Sequence, residues 1–134
     1  MEIQPAPADA TRDIAVDAPT PIEPRSKIWF ERGGRVVLSE WRVQLLVAID
    51  ECGSLVQAAQ RLGVPYRTAW QKLKEAEEGL GFPILETQSG GAEGGSSRLT
   101  ARARDIVERF NRATSGISAM IDRRVRVELQ DILG

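Results

Sequence analysis

The 134-residue chain contains no histidine, one cysteine and only 5% aromatic residues. Without histidine it lacks the commonest general base and the commonest transition-metal ligand. Ser-His-Asp and Cys-His arrangements are excluded, so no enzyme, catalytic residue, metal site or cofactor is expected. The lone Cys52 cannot close an internal disulfide, which suits a reducing compartment and an expected location in the cytoplasm. No apolar run approaches the ~20 residues that span a bilayer, so no membrane segment is expected. No basic start followed by an apolar stretch marks a secretory signal.

What is present is a 42% apolar composition, enough for one core, and a net charge of −1 that is unevenly spread. Residues 1–24 hold Glu2, Asp9, Asp13, Asp17 and Glu23 against Arg12 alone, together with five of the seven prolines. This stretch has no periodicity and reads as part of a disordered acidic leader, set at residues 1–26. Residues 25–112 are basic by three charges, and residues 113–134 are balanced. A local basic face, rather than a basic whole, is what contact with phosphates requires.

Order starts near Lys27. Ile28-Trp29-Phe30 and Arg35 to Leu38 are two short apolar runs around Gly33-Gly34, which predicts a tight β-hairpin. Ser39 is a good N-cap for a helix whose apolar face is Trp41, Leu45, Leu46, Ala48 and Ile49, ending at Cys52-Gly53. Ser54 caps a second helix, with Gln57 three residues on in capping-box position. Leu55, Ala58, Ala59 and Leu62 form its inner face and Gly63 stops it. Pro65 opens a third helix at its first position. That helix is expected over 65–79, with Ala69, Leu73, Ala76 and Leu80 in one stripe.

After Pro83 the texture changes. Ile84-Leu85 and the residues around Leu99 read as strands, joined by a stretch rich in Gly90, Gly91, Gly94 and Gly95. Thr100 then caps a last helix over 101–134. Its stripe of Ile106, Phe110, Ala113, Ile117, Ile121, Val125, Leu129 and Ile132 is spaced 4, 3, 4, 4, 4, 4, 3. A continuous helix of that length extends ~51 Å. A domain this small cannot cover it, and a helix of a second subunit is the simplest cover. Thr114, Ser115 and Gly116 mark a weak point where it bends or breaks.

Two short capped helices joined by a glycine-containing turn form the helix-turn-helix pattern. Ala59 is the small residue at the crossing and Gly63 the turn glycine. With Ala69, Leu73 and Ala76 inward, the third helix presents Arg67, Gln71 and Lys74 outward. Tyr66 and Trp70 lie on one shoulder, Thr68 and Lys72 on the other. The N-terminal half of such a helix enters the major groove, so Tyr66, Arg67, Trp70 and Gln71 are candidate base readers. Trp70 reads equally as a supporting aromatic. Lys72, Lys74 and Arg61 suit phosphates. Glu75, Glu77 and Glu78 read as a solvated face, and Cys52 as a small residue at a helix end.

The run Cys52-Gly53-Ser54-Leu55, Ala58-Ala59, Leu62-Gly63-Val64 and Tyr66-Arg67-Thr68-Ala69-Trp70, followed by Gly90-Gly91 to Gly94-Gly95, resembles the DNA-binding domain of bacterial ModE-type, molybdate-responsive transcriptional regulators. More distantly it resembles LysR-type regulators. The resemblance spans about Trp29 to Phe110. It implies a homodimer held by its first and last helices, with Leu45 and Ile49 adding to the interface of Ile106, Phe110, Ala113, Ile117, Ile121 and Val125. It also implies Tyr66, Arg67, Thr68 and Gln71 as readers, with Ser89, Ser97 and Arg98 on the wing. Two departures stand out. The chain ends at Gly134 where the family continues into molybdate-binding modules, so no molybdate site is expected. Glu93 puts an acid in the wing, which argues against a phosphate contact at its tip.

The expected architecture is therefore mainly α. A winged helix-turn-helix over 27–100 has a short N-terminal β-hairpin and a glycine-rich β wing at 84–99, followed by a C-terminal dimerisation helix over 101–134. The expected function is sequence-specific binding of double-stranded DNA by a homodimer on a palindromic operator, with RNA polymerase or a second regulator as a further partner. The alternative is a winged-helix protein-interaction module with little specific DNA binding.

Overall fold

The computed structural model describes residues 20–88 and 96–133. Residues 1–19 of the expected leader therefore lie outside the described residues, and residues 20–28 form neither helix nor strand. Strands β1 (Trp29–Arg32) and β2 (Arg35–Ser39) pair as the antiparallel hairpin expected around Gly33-Gly34, with a bulge between Phe30 and Glu31. Helices α1 (Glu40–Cys52), α2 (Leu55–Leu62) and α3 (Tyr66–Leu80) follow. Strands β3 (Leu85–Gln88) and β4 (Ser96–Leu99) then pair antiparallel, and α4 (Ala101–Thr114) and α5 (Ile117–Leu133) complete the order. The result is a mainly helical winged helix-turn-helix. No helix among the described residues is long and apolar enough to cross a membrane.

The three caps read from the sequence form. The hydroxyls of Ser39, Ser54 and Thr100 accept from the backbone N–H of Arg42, Gln57 and Ala103, satisfying donors that a helix start leaves open. Pro65 differs: it is the cap residue itself, in extended backbone, and α3 starts one residue later at Tyr66. The helix also runs past Gly79 to Leu80 and closes on Gly81. Gly79 is inside α3 for a packing reason. A Cβ there would lie 2.6 Å from Cγ2 of Val37, so only a glycine lets α3 press this closely on β2.

The core joins β2, all three helices of the helix-turn-helix, the wing root and α4. Leu45, Leu46, Ile49 and Ile84 are almost wholly buried. Each such side chain contributes roughly 1.5–3 kcal/mol of burial free energy. From α4, Ala103, Val107 and Phe110 enter the same core, so α4 is part of this body. Phe110 also meets Phe30 of the hairpin, with ring centroids 5.3 Å apart at 60°. Leu62 and Leu80, expected on inner faces, are half-buried at the core margin.

The expected continuous last helix is two helices. Ser115 turns to an extended conformation (φ −62°, ψ 131°) and ends α4 before α5 begins at Ile117. A second irregularity lies at Leu129 (φ −123°, ψ 24°). The break falls at the weak point marked by Thr114-Ser115-Gly116.

Candidate nucleic-acid interface

Ser54, Ala58, Ala59 and Gly63 set the crossing of α2 under α3. Ala58 and Ala59 are buried, and the N–H of Val64 donates to the carbonyl of Ala59 across the turn. Small side chains here let the helices approach. On α3, Ala69, Leu73 and Ala76 are buried, which turns the remaining faces outward. Tyr66 is 51% exposed and Trp70 46%, so Trp70 does not belong to the core. Arg67, Gln71 and Lys74 are exposed; Thr68 and Lys72 are half-buried. The Nζ of Lys74 lies 5.7 Å from the Trp70 ring centroid and 3.1 Å from Glu77 Oε1. Lys72 turns instead towards Glu75, 3.7 Å away.

The wing root is tied to the helices through its backbone N–H groups. The N–H of Ser97 donates to the carbonyl of Gly53 at 2.8 Å, and the N–H of Leu99 to Asp50 Oδ1 at 3.1 Å. Glu77 of α3 accepts from the N–H of Ile84 at 2.8 Å. Arg98 is exposed on β4 opposite Glu86. Ser89, Glu93 and the four wing glycines lie outside the described residues. No group of three or more acidic or cysteine side chains suited to holding a metal ion occurs among the described residues.

The family of bacterial regulatory helix-turn-helix proteins of the lysR type matches residues 42–104, the span from the first turn of α1 into α4. The transcriptional regulator ModE of Haemophilus influenzae is 37% identical over 70 residues, which are 52% of this chain and 28% of that protein. Residues 42–104 are thus similar to the lysR-type helix-turn-helix domain, and the chain is ModE-like over the 70 residues matched. The molybdenum-pterin-binding protein MopB of Rhodobacter capsulatus is 30% identical over 92 residues, covering 69% of this chain and 34% of that protein. The DNA-binding transcriptional dual regulator ModE of Escherichia coli K12 is 29% identical over 70 residues, 52% and 27% of the two chains. These matches span about a third or less of each relative's length.

Within this helix-turn-helix domain, three residues expected at a dimer interface are committed elsewhere. Leu45, Ile49 and Phe110 are 1%, 0% and 4% exposed in the single chain, so they have no surface to offer a partner. Their helical spacing was that of the domain's own core. Ile106, Ile117, Ile121 and Val125 are half-buried, and Ala113 is exposed. Arg61 is exposed and paired with Glu51 of α1.

One residue of the domain went unread in the sequence. Arg42, on the first turn of α1, has a side chain only 3% exposed. Its guanidinium donates to the carbonyl of Val36 at 2.8 Å and to Glu75 Oε1 at 3.0 Å. It thereby joins β2, α1 and α3, and Glu75 is not the freely solvated acid expected. The only hint in the sequence is a basic residue beside the apolar face of α1.

Proposed function

We propose that the chain acts as a homodimer in the bacterial cytoplasm, binding a palindromic operator and so regulating transcription. The observation that carries the reading is the outward row Tyr66, Arg67, Trp70 and Gln71 on the N-terminal half of α3, whose opposite face is locked into the core. That half enters the major groove, where arginine matches the acceptors of guanine and glutamine those of adenine. Thr68 and Lys72 on one flank and Lys74 on the outward face meet the phosphates, as do Arg98 and Ser97 on the wing.

The dimer is assembled by Ile106, Ala113, Ile117, Ile121 and Val125, extended by Met120, Val127, Leu129 and Ile132. Those last four are 41–75% exposed along α5, a run of apolar surface that a lone chain leaves in water. A groove of about 490 Å³ between α1, α2 and α4, lined by Val47, Leu62, Gln44, Arg61 and Asn111, lies open beside α4. α4 thus belongs to the DNA-binding body by its inner face and to the dimer by Ile106 and Ala113, and α5 continues the dimer surface.

Light scattering tests the assembly. The expected mass is twice the 14.7 kDa of the chain, and Ile121→Asp with Val125→Asp should halve it. A monomer for the unaltered chain at micromolar concentration contradicts the dimer. Weak, salt-insensitive DNA binding beside a tight protein partner would favour the interaction-module reading instead.

A further inference from the structure

The N-terminal hairpin holds two arginines that neither the fold nor the helix-turn-helix uses. Arg32 and Arg35 face each other in register across the Gly33-Gly34 turn, both exposed. Gly33 and Gly34 have φ of 58° and 82°, the left-handed conformations that close so tight a turn. Like charges placed directly opposite on paired strands destabilise the pair. Neither arginine forms an ion pair among the described residues, so no direct contact there offsets that repulsion. A local rule broken without compensation marks a surface kept for a partner.

The position of the turn says which partner. Arg32 and Arg35 line a cleft of about 420 Å³ with Val36, Val37 and, from α3, Glu75, Glu78 and Gly79. The opposite flank of α3 faces the wing, because Glu77 accepts from Ile84 at the wing root. Residues two apart on a helix point ~200° apart, so Glu75 and Gly79 lie across α3 from Glu77. The hairpin and the wing therefore stand on opposite sides of α3. The close approach of Gly79 to Val37 and the Arg42–Glu75 pair hold hairpin and helix as one body. Glu75 is already shared between Arg42 and Lys72, so Glu78 is the one further carboxylate of the cleft against its two exposed arginines.

We propose that this hairpin is a second DNA-backbone grip, in which Arg32 and Arg35 contact phosphodiesters on the flank of α3 opposite the wing. The inference rests on α3 entering DNA and extends the footprint beyond the helix-turn-helix and the wing. The mutual repulsion of the two guanidinium groups is relieved when phosphate oxygens come between them.

The test is a salt series of fluorescence-anisotropy titrations on a random-sequence DNA duplex with the full chain. Each phosphate contact contributes about 0.9 to the slope of log affinity against log salt. The R32A/R35A variant is expected to lower that slope by roughly 2, R32K/R35K to retain it, and the charge-matched R123A/R124A on α5 to leave it unchanged. Unaltered binding and slope in R32A/R35A, beside a wild type that binds, overturn the hairpin grip and leave the α3 reading intact. An equal loss in R123A/R124A overturns it too, by reducing the effect to net charge. A wild type that binds no duplex overturns both.

Discussion

The carboxylate of Asp50 accepts two hydrogen bonds from the guanidinium of Arg104, at 3.2 Å from Nε and 2.9 Å from Nη2. The same carboxylate takes the N–H of Leu99. One acid near the end of α1 thus fixes both the inner strand of the wing and the start of α4. The wing's aim relative to α3 depends on it.

The Arg104 hydrogen bonds, helped by Leu99 N–H and by the positive charge of Arg98, hold the Asp50 carboxyl below its ordinary value of 3.8, outweighing the opposing effect of burial. A depressed folded pKa gives stability that is present above the unfolded value and lost as pH falls through the folded one. Asp50→Asn is therefore expected to melt below the wild type at neutral pH, with the gap closing in strong acid. Arg104 is 48% exposed, so salt should narrow the gap as well. Thermal melts across a pH series check this; a gap that widens in acid would contradict it.

Arg42 should be among the costliest polar residues to remove. Arg42→Ala strips the Val36 carbonyl and Glu75 of a buried partner, and loss of one member of such a pair costs about 3–5 kcal/mol. Glu75 is 32% exposed and retains Lys72, which places the expected loss at the lower end of that range. Denaturant unfolding measures it. A loss comparable to an exposed arginine such as Arg67 would show that the tie is not structural.

Gly79→Ala sets two effects against each other. Alanine gains about 1 kcal/mol of helix propensity over glycine. Overpacking against Val37, with its Cγ atoms 2.6 and 2.9 Å from the new Cβ, costs about 1–3 kcal/mol. A net loss is expected in the wild-type background. In a Val37→Ala background the loss should shrink, because the two Cγ atoms are gone and only the Cβ of residue 37, 3.1 Å away, remains close. Stabilisation by Gly79→Ala alone would sink the close-approach explanation.

On α3, Arg67→Ala should cost about 1–3 kcal/mol on the operator and relax discrimination at one base position. Lys74→Ala should weaken all sequences alike and lower the salt slope by about one. Competition titrations with single-base operator variants separate the two. Equal losses on every sequence for Arg67→Ala would count against base reading there.

Local signals carried most of the fold. Ser39, Ser54 and Thr100 are caps whose partners lie three residues away, so their work is visible in a short window. The Gly33-Gly34 turn and the alanines of α2 are similarly local. The misreadings of packing involve distant partners. Gly79 looked like a helix stop because Val37 is remote in sequence. Arg42 was not legible because its acceptors come from β2 and α3. Leu45, Ile49 and Phe110 have the spacing of any apolar stripe, and spacing does not say whether the cover comes from the same chain. The outward face of α3 was legible because three inward residues define it. The hairpin arginines were not, because only the packing of β2 on α3 brings them beside that face.

The most direct test is selection from a random DNA pool by the purified chain, followed by sequencing. The expected result is enrichment of an inverted repeat whose half-sites lie about 10–10.5 base pairs apart, or a multiple of that, matching two copies of α3 on one face of the duplex. A selected pool no different in sequence from the input, at moderate salt, would contradict sequence-specific DNA binding itself.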